Sequence, residues 1–271
     1  ENVKELSKAE GMFRRRRDIR GLLMALASLM EAIMLQGRDR ISIHELVAKG
    51  EELLSQLDFG QYPREQALLW LQMGFCYSLR GENTRDGYRA SQNAFHLAKK
   101  INDRPLQIQA LVFSLIPLTF LGEFEEGDKL RSQIENMLQK SGYPELEALF
   151  LKMWSELVMF AGRLDLGLAH SIIERLKDRI EQYGLLYVKA PAMYSEFAYH
   201  MYAGNGEKAE EIGLMLQDMA EAIDNTYGRG FCLILRGLLS YRQGHLSQAK
   251  GLIEAGLEIF RQPEARSYLH D

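Results

Sequence analysis

Leu121-Gly122-Glu123-Phe124-Glu125-Glu126-Gly127 is the stretch on which the reading of this chain turns. A long apolar run with helical spacing stops at Gly122, and a more polar helical run begins within two residues. The same event occurs at Gly37, Gly81, Gly162, Gly204 and Gly244, with successive gaps of 44, 41, 40, 42 and 40 residues. In four of the six units a small residue stands five positions after the glycine: Gly127, Gly167, Ala209 and Ala249. A unit of about 40 residues built as helix, glycine turn and helix is the mark of a helical-repeat array, in which each unit packs only on its neighbours. Such arrays serve as surfaces that hold a partner more often than as centres of bond making.

Proline supports the same punctuation. Pro63, Pro105, Pro144, Pro191 and Pro263 each stand just ahead of an apolar-periodic run, where the missing N–H costs nothing in a first helical turn. Pro117 alone falls inside a run and is expected to kink its helix or leave one carbonyl unpaired. Leu22, Leu23, Leu26, Leu29, Met30, Ile33 and Met34 follow the helical i, i+3, i+4, i+7 pattern. The second helix of each unit is more amphipathic: Ile212, Leu216 and Met219 form a stripe, with Glu207, Lys208, Glu210 and Glu211 facing water. The resulting units span 19–57, 63–101, 104–140, 145–183, 189–223 and 227–261, after a lone helix over 1–16. Their first helices are read at 19–36, 63–80, 104–121, 145–161, 189–203 and 227–243. No alternating strand pattern and no linker divides residues 1–271, so a single all-α repeat domain is expected.

Composition narrows the function classes. The formal net charge of −4 supplies no basic field to draw the chain to nucleic acid or a membrane. Cys76 and Cys232 each sit in an apolar helical run and read as buried thiols. No signal peptide and no uninterrupted apolar run near the length of a membrane span is apparent, so the cytoplasm is the expected location. The chain starts at Glu1 and its last residues, 263–271, look like the opening of another helix. It reads as a piece excised from a longer protein, with self-association expected through a terminal unit.

No pattern in the chain supports catalysis. His44, His96, His170, His200, His245 and His270 lack metal-ligand spacing, so no metal is expected. Gly204-Asn205-Gly206-Glu207-Lys208-Ala209 imitates a dinucleotide loop, but a helix precedes it where a strand is required, and no cofactor is implied. Arg14, Arg15, Arg16 and Arg17, with Arg20, form the densest charge run. It reads first as a solvated helix end favoured by the helix dipole, and second as a contact for an anion or a neighbouring domain. The tyrosine-rich segment 187–202 reads first as inter-repeat packing and second as a binding surface, since tyrosine combines contact area with a polar handle.

Aligning the units on their glycines places Ala25, Ala110, Ala192 and Cys232 twelve residues earlier, and Gly74, Ser155 and Gly237 seven residues earlier. With the turns at 121–127 and Gln243-Gly244-His245-Leu246-Ser247-Gln248-Ala249, this resembles the tetratricopeptide repeat. The longer unit, with Asp18-Ile19-Arg20-Gly21-Leu22-Leu23-Met24-Ala25-Leu26 and Asn102-Asp103-Arg104-Pro105-Leu106-Gln107-Ile108-Gln109-Ala110-Leu111, is more similar to the sensor repeats of MalT-type large ATP-binding transcription activators and related signal-transduction ATPases. The resemblance implies a right-handed α-α superhelix of about six helix pairs. It also implies a regulatory domain of a bacterial signalling or transcription-regulatory protein that holds a ligand or another protein, the alternative being a general scaffold. Neither a P-loop nor a helix-turn-helix lies in this chain, so flanking domains would carry those parts.

Carrying over the groove-facing positions of such repeats gives Glu31, Phe75, Gln109, Lys152, Glu156, Tyr194, Met201, Tyr202, Phe231, Tyr241 and Arg242, amid apolar positions such as Leu68, Leu71, Val112, Ile116, Leu149, Ile234 and Leu238. The binding residues singled out are Gln109, Lys152, Glu156, Tyr194, Tyr202, Phe231, Tyr241 and Arg242. A groove so composed suits a protein segment, a peptide or a small effector, and not an RNA backbone.

Overall fold

The computed structural model describes residues 2–36, 41–80, 83–139, 142–160, 165–223 and 225–261. These residues form thirteen helices and no strand. Contacts divide the chain into two compact units, with the boundary between Leu146 and Glu147. The first holds α1 (Asn2–Arg16), α2 (Ile19–Gln36), α3 (Ile41–Ser55), α4 (Pro63–Arg80), α5 (Thr84–Lys100), α6 (Arg104–Leu121) and α7 (Phe124–Leu138). The second holds nearly all of α8 (Pro144–Phe160), then α9 (Leu166–Tyr183), α10 (Leu186–Ala203), α11 (Gly206–Ala222), α12 (Thr226–Arg242) and α13 (Leu246–Arg261). Most helix ends fall within three residues of where periodicity and punctuation put them.

The turns follow from backbone chemistry. Gly122, Gly204 and Gly244 adopt φ of +70°, +82° and +82°, the left-handed conformation that ends a helix and that side chains resist. Gly37, Gly81 and Gly162 lie outside the described residues. Helix starts are fixed by side-chain caps: Asp103, Asp165 and Asn225 accept from the backbone N–H of Leu106, Leu168 and Gly228.

The N-cap sets the packing register of the second helices. In five units the residue four places after the N-cap donates the first helical hydrogen bond back to the cap carbonyl. The pairs are Gly87 to Asn83, Gly127 to Glu123, Ala169 to Asp165, Ala209 to Asn205 and Ala249 to His245. All five of these small residues are buried. This corrects one expectation. Gly167, five places after Gly162, is exposed, and Ala169 takes the seam because Asp165 starts its helix later than the glycine spacing implied.

In the first unit, the consecutive helices α4 and α5 run antiparallel and the alternate helices α4 and α6 run parallel. In α4 and α5, Gly74 opposes Ser91 while Ser78 opposes Gly87. A Cβ on Gly74 would lie 3.0 Å from the Gly87 carbonyl oxygen, so a larger residue there would force the two helices slightly apart. In α4 and α6, Arg64 pairs with Asp103 at the start of both helices, and Phe75 stacks on Phe113 further along at 4.9 Å. Both contacts advance in the same direction, as parallel helices require. The core of the first unit gathers Leu23, Leu26, Met30, Leu69 and Met73, and that of the second Phe197, Met201, Ile212, Leu216 and Leu239.

Ala25, Ala110, Ala192, Cys232 and Ala249 are buried as expected, Ala110 at 0 % exposure and the rest at no more than 5 %. Ala110→Leu adds three carbons where no space exists. It should cost about 1–3 kcal/mol, read as a lowered urea midpoint at unchanged m-value. Cys76 and Cys232 are both buried.

Two further expectations need correction. Pro191 lies inside α10, not in its first turn, because the helix opens at Leu186. And α6 is, by length and composition, apolar enough to cross a membrane, where the sequence reading found no such run. Most of α6 is buried inside the protein: it packs against α4, α5 and α7 and contributes Leu106, Ile108, Leu111, Val112 and Leu115 to the interior.

Candidate functional site

The second unit brings several of the groove positions together. α10 and α12 are alternate helices, and their side chains meet at two levels. Near the first level the Tyr194 ring meets the edge of Phe231 at 5.3 Å, and the Tyr194 hydroxyl lies 3.6 Å from the Cys232 Sγ. At the second level the Arg242 guanidinium sits over the Tyr202 ring at 5.2 Å. Tyr202 is eight residues beyond Tyr194 and Arg242 eleven beyond Phe231, so both contacts ascend together and the helices are parallel. Eight helical residues rise about 12 Å, which separates the two levels.

Tyr194, Tyr202 and Phe231 are half-buried, whereas Leu238, Tyr241 and Arg242 are exposed. Those three lie at i, i+3 and i+4 of α12 and therefore share one face. Burial pushes the Cys232 thiol up from its ordinary value, against smaller opposing effects of the Tyr194 hydroxyl and Arg236. Cys232 is thus a buried group packed against Tyr194.

The other predicted residues are placed as follows. Lys152 and Glu156 pair with each other on α8 at 2.9 Å, and both are partly buried. Gln109 is half-buried on α6, in the first unit. Arg14, Arg15, Arg16 and Arg17 are exposed at the end of α1, where Arg14 pairs with Glu10 at 2.7 Å. Arg17 has a φ of +56° and marks the turn into α2. Arg20 pairs with the buried Glu65 of α4.

Sequence reading did not foresee a polar layer between α9 and α10. His170 stacks on Tyr199 at 5.1 Å, and His200 meets the same ring edge-on at 5.0 Å. Lys177 bridges Glu174 at 3.1 Å and Glu196 at 3.0 Å. Burial holds the His200 imidazole below its ordinary range; Glu196 opposes this, while Lys208, Lys177 and His170 add to it. A histidine with a lowered folded-state pKa keeps its full contribution to stability above the unfolded value of about 6.5 and loses it as pH falls through the folded value. His200→Gln should therefore flatten the decline in melting temperature between pH 7.5 and pH 5, relative to the parent chain.

The chain matches no protein-family model, and no curated protein matches it.

Proposed function

We propose that the chain is a ligand- or protein-binding domain of tetratricopeptide-like type, a right-handed solenoid of helix pairs, and that it acts as the regulatory sensor of a larger signalling or transcription-regulatory protein. The observation that carries the reading is the juxtaposition of Tyr194 with Phe231 and of Tyr202 with Arg242 across two parallel helices. These contacts join positions that first helices of such repeats turn toward the groove. They leave an apolar strip with a polar group at one end, the composition of a recognition surface.

Binding, not catalysis, is the role such a face suits. Its titratable members are tyrosines and an arginine, which fix orientation by ring contact and hydrogen bonding. Half-buried aromatic rings also lose little entropy when a partner covers them.

A thermal-shift screen of small metabolites and short peptides tests this reading. A ligand of the groove at a hundredfold excess over its Kd should stabilise the chain by about 2.7 kcal/mol. Tyr241→Ala and Arg242→Ala should abolish that shift while leaving the melting temperature of the free chain within a few degrees, since both side chains are exposed. Ligands whose shifts survive both changes would place recognition elsewhere.

A further inference from the structure

Among the described residues of the second unit, many cations pair with carboxylates: Lys152 with Glu156, Arg179 with Glu147, Lys177 with Glu196, Lys208 with Glu211 and Arg236 with Glu210. Arg242 is engaged differently. Its guanidinium carbon lies 5.2 Å from the centre of the Tyr202 ring, a cation–π contact that holds the group at this end of α12. Among the described residues Arg242 pairs with no carboxylate, and its N–H donors are the part of a guanidinium that recognises one. Leu238 and Tyr241, at 41 % and 62 % exposure, supply apolar surface on the same face of α12.

We propose that this strip of α12 takes a short acidic peptide segment, with a carboxylate on Arg242 and an aliphatic side chain against Leu238 and Tyr241. The inference rests on the groove reading above and names its occupant. The spacing suits an extended chain. Leu238 to Arg242 is four helical residues, a rise of about 6 Å. In an extended peptide, residues i and i+2 point to the same side about 6.6 Å apart. The matching segment is therefore aliphatic, any residue, then Asp or Glu. An open strip suits a peptide more than a small molecule, which binds tightly only where most of its surface is enclosed. The exposed Arg242 guanidinium beside this apolar surface provides the local charge complementarity that an acidic segment needs.

The test is selection from a phage-displayed random hexapeptide library on the immobilised chain, followed by fluorescence anisotropy of the selected peptides with the parent, Arg242→Gln and Tyr241→Ala. Enrichment of an aliphatic-x-acidic pattern, with at least a tenfold loss of affinity on Arg242→Gln, is the expected result. Apolar peptides that need Tyr241 but ignore Arg242 would overturn the acidic assignment and leave the groove reading standing. Peptides indifferent to both changes, or no enrichment at all, would overturn the inference alone, the groove reading then depending on the metabolite screen. Melting curves of both variants confirm that each is folded.

Discussion

Gly256→Leu should destabilise the chain by about 3 kcal/mol, at the upper end of what overpacking costs. A Cβ at this position would lie 2.7 Å from the carbonyl oxygen of Gly230 and 2.8 Å from Ile234. The first of these is backbone, so no rotamer change relieves it, and α12 and α13 must move apart. The cost does not stop at one contact. Gly237 faces Ala249 and Ile253 at the next level of the same seam, where a Cβ would lie 3.1 Å from the Ala249 carbonyl oxygen. Leucine is a better helix former than glycine, so local propensity works against the predicted loss and cannot explain it. Gly251→Ala, on the open side of the same helix, is the control. No atom lies within 4 Å of its Cβ position, and a gain of about 0.5–1 kcal/mol is expected there. Urea unfolding of the two variants separates seam packing from helix propensity.

The second large effect belongs to Arg236. Its side chain is 14 % exposed, and it donates from Nε and Nη2 to the Glu210 Oε1 at 3.0 and 2.6 Å. A third bond runs from Nη1 to the Gln217 Oε1 at 2.6 Å. One guanidinium thus ties two turns of α11 to α12, and its stem crosses Gly213, where a Cβ would come within 3.0 Å of it. Arg236→Met keeps much of the stem and removes all three bonds. The expected cost is about 2 kcal/mol, less than for a fully buried pair because the Glu210 side chain, 34 % exposed, recovers water. In a double-mutant cycle with Glu210→Gln, the two changes should couple by about 1 kcal/mol. Additivity would mean that the ion pair contributes nothing and only the packing of the stem matters.

Helix order and most helix ends were legible because they are local. A glycine with positive φ, a capping Asp or Asn and a proline in a first turn act within a few residues, and periodicity reports which face is apolar. The exceptions show where local reasoning stops. Pro191 looked like a first-turn proline, yet Leu186 and its neighbours extend α10 upstream of it. Gly167 had the right spacing from its glycine, but the cap at Asp165 and not the glycine sets the register, so Ala169 reaches the seam.

The candidate site was legible as a set of positions and not as a set of contacts. Repeat register named Tyr194, Tyr202, Phe231 and Arg242, but their pairing depends on how α10 and α12 stagger, which no local signal encodes. For the same reason the His170–Tyr199–His200 layer and the Arg236 bonds had no signature. Their members lie 19 to 30 residues apart on different helices, apart from the adjacent Tyr199 and His200.

The claim on which the functional reading depends is that α10 and α12 lie parallel and present Tyr194, Tyr202, Phe231 and Arg242 on one face. Cross-linking measures this directly. Cysteines are introduced in pairs in a Cys232→Ala background, because Tyr194→Cys would uncover the thiol that lies 3.6 Å from the Tyr194 hydroxyl, and the rate of closure by a short bis-maleimide is followed by mass spectrometry, Cys76 being buried in the folded chain. Tyr202→Cys with Arg242→Cys, and Tyr194→Cys with Phe231→Cys, should close rapidly, while the crossed pair Tyr194→Cys with Arg242→Cys, about 12 Å further apart along the helices, should close far more slowly. Faster closure of the crossed pair would mean that α10 and α12 run antiparallel, and would contradict both the helix-pair stacking and the binding face built on it.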